Sequence, residues 1–118
     1  MKTLFFILLS CHLLATSYTD GKATYQEKGC GACHGTKLEG MNMYPYLANR
    51  QKGFLTYKLK RFRNRHSDNQ QQEMMIPFAK NLSDKEIDNL TTYMYEYVEE
   101  NNAQSYDDSY ENYGDGGS

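Results

Sequence analysis

Cys30-Gly31-Ala32-Cys33-His34 is the stretch that decides how this chain is read. Two thiols three residues apart, followed at once by an imidazole, suit three chemistries. A redox dithiol would need a strand before the pair and a βαβ setting, and neither is visible in the flanking sequence. A structural zinc would need a second ligand pair, but only His34 and His66 follow Cys33, with no further cysteine. The third chemistry uses all five residues: both thiols add across the vinyl groups of a haem, and the adjacent imidazole reaches the iron from one face. Cys30 and Cys33 are therefore the candidate attachment residues and His34 the candidate iron ligand.

The N-terminus agrees with this chemistry, which is carried out outside the cytoplasm. Lys2 supplies a positive start, Leu4 to Leu9 an apolar run extended by Leu13 and Leu14, and Ala15-Thr16-Ser17 a small-x-small cleavage site. Residues 1–17 read as a secretory signal, with cleavage after Thr19 as the neighbouring alternative. The run is short of the roughly 20 apolar residues of a membrane span. Cys11 leaves with this segment. Leu8-Leu9-Ser10-Cys11 faintly resembles a lipoprotein box, but only ten residues precede the cysteine. A periplasmic protein without a membrane span in the mature chain is the expectation.

The chain has 118 residues, enough for one domain. Removing residues 1–17 takes one base from 13 and no acid from 15, leaving a net charge of −3. That charge is unevenly spread. Residues 99–118 hold Glu99, Glu100, Asp107, Asp108, Glu111 and Asp115 and no base, whereas residues 18–98 sum to +3. The expected organisation is a mildly basic domain over 18–98 and a disordered acidic tail over 99–118. Tyr106, Tyr110 and Tyr113 are interspersed among the tail's acids.

Periodicity predicts three helices and no strand. Tyr18 to Lys28 forms the first. Gly53 to Arg65 forms the second, with Leu55, Leu59 and Phe62 at helical spacing. The third opens at Ser83-Asp84-Lys85-Glu86, a capping box flanked by Leu82 and Ile87 as a hydrophobic staple. Its apolar stripe is Ile87, Leu90, Met94, Tyr97 and Val98. Residues 35–49 and 67–80 read as loops. Three short helices make a poor core alone, and a large apolar cofactor at the centre would repair it.

With these residues assembled, the chain resembles a class I c-type cytochrome, most like the small bacterial forms similar to one half of the di-haem cytochromes. The resemblance runs over residues 21–97. It includes Gly21 with Tyr25 and Leu90 with Tyr93, the pairs at which terminal helices cross in that family. Tyr44-Pro45-Tyr46-Leu47-Ala48 is similar to a stretch whose proline carbonyl accepts the second N–H of the axial histidine, a role this assigns to Pro45. Met75-Ile76-Pro77-Phe78-Ala79, before Leu82-Ser83, is similar to the segment bearing the second axial ligand.

The resemblance implies an all-α cytochrome c fold, with three main helices and long loops around one covalent haem, and a periplasmic one-electron carrier that is a monomer when free. It implies Met75 as the sixth ligand, because a neutral thioether favours reduced iron. Met74 competes, Met94 belongs to the helix stripe, and Met41 and Met43 lie near the histidine side. Other readings are a haem-bearing subunit of a larger periplasmic oxidoreductase, or a peroxidatic or ligand-sensing protein. The last needs an open coordination position, which Met75 would close.

Asn49-Arg50 and Lys58 depart from the family's usual Gly-Gln and Gln. They contribute to a basic run of Arg50, Lys52, Lys58, Lys60, Arg61, Arg63 and Arg65 with no acid between them. The run reads either as a solvated helix face or as a docking surface for an acidic redox partner. Nucleic acid is not an expected partner outside the cytoplasm.

Overall fold

The structure, a computed structural model, describes residues 13–100, with side chains from Ser17 onward. The described residues form six helices: α1 Leu13–Glu27, α2 Gly31–His34, α3 Lys52–Arg63, α4 Gln70–Glu73, α5 Ile76–Ala79 and α6 Asp84–Tyr95. No strand occurs among them, only an isolated bridge between Met41 and Tyr44. The all-α expectation stands.

Three differences from the sequence reading exceed a shift of one or two residues at a helix end. Helix α1 starts at Leu13 rather than Tyr18, because Leu13-Leu14-Ala15 are strong helix formers with no breaker before Tyr18. The stretch 67–80 is not plain loop. It contains α4, whose N-cap Asn69 accepts from the Gln72 N–H at 2.9 Å, and α5, which has Pro77 in its first turn. Helix α6 ends at Tyr95, and Val98 is 69% exposed, so the apolar stripe stops short of it.

Helices α1 and α6 pack closely on each other, and Gly21 is the reason they can. A methyl group there would collide with the Asn89 carbonyl and lie 2.8 Å from Tyr93 Cβ. Tyr25, Leu90 and Tyr93 are all buried at this crossing. The Tyr25 and Tyr93 rings meet edge to face at 5.6 Å, and Tyr93 meets Tyr18 at 5.1 Å and Tyr97 at 5.8 Å. Burial, with Tyr18 and Tyr97 alongside, pushes the Tyr93 hydroxyl up to about 12. Leu55, Leu59 and Phe62 of α3 join Ile87 and Met94 of α6, with Leu38, Ala79 and Leu82, to complete the core.

The capping box of α6 is complete. Ser83 Oγ accepts from the Glu86 N–H at 3.1 Å, and Glu86 Oε1 accepts from the Ser83 N–H at 3.1 Å. Leu82 and Ile87 are both buried beside it. After α6, Glu99 pairs with Lys37 at 2.8 Å and Glu100 with Lys22 at 2.8 Å. These two residues, assigned to the tail by composition, thus contact the folded domain. Residues 1–12, with Cys11, and 101–118, with Tyr106, Tyr110 and Tyr113, lie outside the described residues.

Gly21→Ala is expected to destabilise the domain by about 1–3 kcal/mol, the usual cost of overpacking, here against backbone that cannot rotate away. Denaturant titration measures this, and an unchanged midpoint would mean the helices do not cross at Gly21. Ser83→Ala is expected to cost about 1 kcal/mol through loss of the N-cap. The Glu86 carboxyl is held below its ordinary value of 4.5, first by the Ser83 backbone N–H. Its contribution to stability is therefore present above about 4.5 and lost as pH falls through the lowered value. Glu86→Gln, which can keep the cap geometry, should flatten the acid limb of the stability profile.

Candidate haem site

Cys30 precedes α2 with helical backbone angles, φ −58° and ψ −37°. The His34 N–H donates to the Cys30 carbonyl at 3.0 Å, and the Cys33 N–H to the same oxygen at 3.4 Å. One helical turn therefore sets Cys30, Cys33 and His34 along one side of the chain. No disulfide joins Cys30 and Cys33, and both are partly buried. No group of three His, Cys, Asp or Glu that could hold a metal ion exists among the described residues.

His34 is buried, and its Nδ1 lies 2.7 Å from the Pro45 carbonyl oxygen. A carbonyl can only accept, so Nδ1 carries the proton and the Nε2 lone pair is left for a metal. The loop makes this possible by doubling back at Gly40, at φ +76°. A Cβ there would sit 2.7 Å from the Tyr44 oxygen and 2.9 Å from the Pro45 carbonyl carbon. The Gly40 N–H donates to the His34 carbonyl at 2.8 Å, binding the same loop to the histidine's own backbone.

Tyr25 holds this segment from the other side. Its hydroxyl donates to the Gly35 carbonyl at 2.6 Å, and its carbonyl accepts from the Cys30 N–H at 3.1 Å. Burial is the main reason its hydroxyl is raised far above its ordinary value, with Cys30 and Tyr93 adding to it. Sequence reading placed Tyr25 only at the helix crossing. Its second role depends on the Gly35 carbonyl reaching the hydroxyl, which no spacing rule reveals.

A cavity of about 500 Å³ opens over this face. Cys30, Cys33, His34 and Pro45 line one part of it, Leu55, Leu59 and Phe62 of α3 another, and Met74 and Met75 another. Met43 and Met94 also line it; Met41 does not. The two competing methionines differ in packing. Met74 is 54% exposed, whereas Met75 is partly buried and packs against the core. The Met75 N–H donates to Gln72 and its carbonyl accepts from Phe78 and Ala79, so its backbone is fixed between α4 and α5.

Among the described residues no acid lines the cavity, but Lys28, Arg50 and Lys58 do. Arg50 lies over the rings of Tyr46 at 5.1 Å and Phe54 at 4.8 Å. An apolar cavity with a cysteine pair, an imidazole and a cationic border fits a flat macrocycle that is apolar in its centre and carries carboxylates at its edge.

Folding supplies acids to the basic run that the linear sequence lacks. Lys52 pairs with Asp88 at 2.7 Å, Lys58 and Arg61 share Asp68 at 3.2 and 2.7 Å, and Arg63 pairs with Asp84 at 2.7 Å. Arg50, Lys60 and Arg65 have no carboxylate within ion-pair distance among the described residues. The uninterrupted run is thus three uncompensated charges and four compensated ones.

An all-helical domain built around a Cys-x-x-Cys-His turn and an apolar cavity defines a c-type haem protein. Its sequence matches the cytochrome c family over residues 18–97, and the chain belongs to that family. It is also similar to cytochrome c-554(548) of Halomonas halodenitrificans, at 32% identity over 65 residues, covering 54% of this chain and 78% of the relative. It is accordingly a class I c-type cytochrome, a haem-based electron carrier with covalently bound haem c, and it acts with redox partners. Among the described residues no helix is long and apolar enough to cross a membrane.

Tyr25→Phe keeps the ring and removes one hydroxyl, leaving the buried Gly35 carbonyl without that donor. The expected cost is about 1–3 kcal/mol, and thermal unfolding of the haem-loaded protein measures it.

Proposed function

We propose that this cytochrome is a periplasmic one-electron carrier with one haem, attached through Cys30 and Cys33, with His34 and Met75 as the iron's axial ligands. The observation that carries this is the 2.7 Å approach of His34 Nδ1 to the Pro45 carbonyl in the wall of a cavity that Met75 also lines. Haem c, when bound, supplies the one-electron change between ferric and ferrous iron. The chain's part is to hold its own ligands still. Pro45 keeps the imidazole in one tautomer and orientation, which leaves Nε2 basic. Backbone hydrogen bonds on both sides of Met75 fix where its thioether begins. The apolar walls from α3 and α6 exclude water, so little rearranges when an electron arrives or leaves.

Arg50, the cavity-lining cation with no carboxylate within ion-pair distance among the described residues, favours a partner with an acidic docking surface, with Lys60 and Arg65 beyond it. Periplasmic placement rests on Lys2, the apolar run from Leu4 and Ala15-Thr16-Ser17.

Met75→Ala should abolish the ferric charge-transfer band of thioether-ligated haem, lower the reduction potential and open the iron to added ligands. Met74→Ala should leave the band in place. Optical spectra of both variants decide, and the opposite pattern would move the ligand one residue earlier. Acid-acetone extraction of the wild type should leave the haem on the polypeptide, and recovery of the bare polypeptide mass would refute attachment at Cys30 and Cys33.

A further inference from the structure

Asn49 makes three hydrogen bonds to the end of α6. Its backbone N–H donates to the Met94 carbonyl at 2.7 Å, and its side-chain Nδ2 donates to the Tyr95 carbonyl at 3.1 Å and the Tyr97 carbonyl at 2.8 Å. Those carbonyls belong to the last turn of α6 and the residues just past it, which have no partner within the helix. Asn49 stands at φ +59°, a conformation that asparagine tolerates better than other residues with a side chain. One residue of a distant loop thus caps the C-terminus of α6.

The loop it belongs to carries Pro45, four residues earlier. Between them, the Leu47 and Ala48 N–H groups both donate to the Leu38 carbonyl, at 2.9 and 3.2 Å. Leu38 is fully buried. Towards the N-terminus, the loop is bound to His34 through Gly40. Pro45 lines the cavity, and its carbonyl is flanked on both sides by these backbone attachments. Asn49 is the attachment that joins this loop to α6, the helix packed across α1.

We propose that Asn49 is a positioning residue for the axial histidine, setting the strength of the His34–Pro45 hydrogen bond by fixing the loop to the end of α6. This rests on the reading of His34 as an iron ligand. Releasing the Asn49 side chain lets the Pro45 carbonyl drift from Nδ1. The imidazole then loses basicity, donates less to the iron and favours the reduced state more. The potential therefore rises when Asn49 is lost, opposite in direction to the loss of Met75.

The test compares haem-loaded Asn49→Gly and Asn49→Asp with Ser83→Ala. Glycine keeps the positive φ and the N–H bond to Met94 while deleting both side-chain donors. Aspartate keeps the shape but turns acceptors towards the Tyr95 and Tyr97 carbonyls. Ser83→Ala weakens α6 at its other end, away from the loop. The readouts are the His34 ring N–H resonance in the reduced protein and the midpoint potential. Both Asn49 variants should shift that resonance upfield, and glycine, which adds no charge, should also raise the potential. Ser83→Ala should lower the melting temperature and move neither. Asn49 variants that melt earlier but keep the wild-type resonance and potential would overturn the proposal, leaving Asn49 as a helix cap alone. Failure of the underlying ligand reading shows separately, in the wild type, as a His34 ring resonance without the displacement expected for a group lying over a haem.

Discussion

The hydrogen bond between His34 and Pro45 is the constraint around which the rest of this molecule is arranged. A ring nitrogen that donates to a carbonyl stays protonated, so the other nitrogen keeps its lone pair. That requirement dictates the loop. The chain must leave α2, turn back within a few residues and bring a carbonyl edge-on to the imidazole. Gly40 permits the close approach, and Leu38 takes a left-handed conformation at φ +55° while fully buried. Leucine does not favour that conformation. The burial of its side chain and its carbonyl's acceptance of two N–H groups offset the cost.

Helices α1 and α6 provide the fixed frame on which this loop hangs. Their contact is close because Gly21 lets backbone meet backbone, and it is stiffened by edge-to-face tyrosines rather than by aliphatic bulk. Tyr25 serves both structures. Its ring belongs to the crossing, and its hydroxyl holds Gly35 directly after His34. A disturbance of the crossing therefore reaches His34 through one side chain. Helix α3 has a different position. Leu55, Leu59 and Phe62 face both the core and the cavity, so the cofactor's apolar surface completes their burial.

The most legible parts of the sequence were those whose physics is local. The capping box at Ser83 and the apolar period of α3 each occupy a few consecutive residues, and each appears in the structure as read. Gly21 and Tyr25 were legible only through family resemblance, because their partners lie about seventy residues away. What could not be read depends on tertiary contact or on too few residues to show a period. Helices α4 and α5 are one turn each, shorter than any periodic signal. The end of α6 at Tyr95 is set by Asn49, forty-six residues earlier. Tyr97 and Val98 continue the apolar pattern in sequence after the helix has stopped.

The same distinction governs charge. Read linearly, seven bases from Arg50 to Arg65 form a strongly positive surface. In the fold, Asp68, Asp84 and Asp88 lie against four of them, and Asp68 is shared by two. Hydrogen bonding from Lys58, then the charge of Arg61, holds the Asp68 carboxyl below its ordinary value, so the acid stays ionised in mildly acidic solution. A cation beside an ionised carboxylate presents a dipole to an approaching partner, and a dipole's field falls off faster than that of a single charge. At the roughly 8 Å over which charges are felt at physiological salt, the uncompensated residues dominate. Those are Arg50, Lys60 and Arg65, and of these only Arg50 also lines the cavity. Its guanidinium is held between two aromatic faces instead of by an acid, which fixes its position without cancelling its charge. The uncompensated charge of this run is therefore placed beside the cavity, at Arg50.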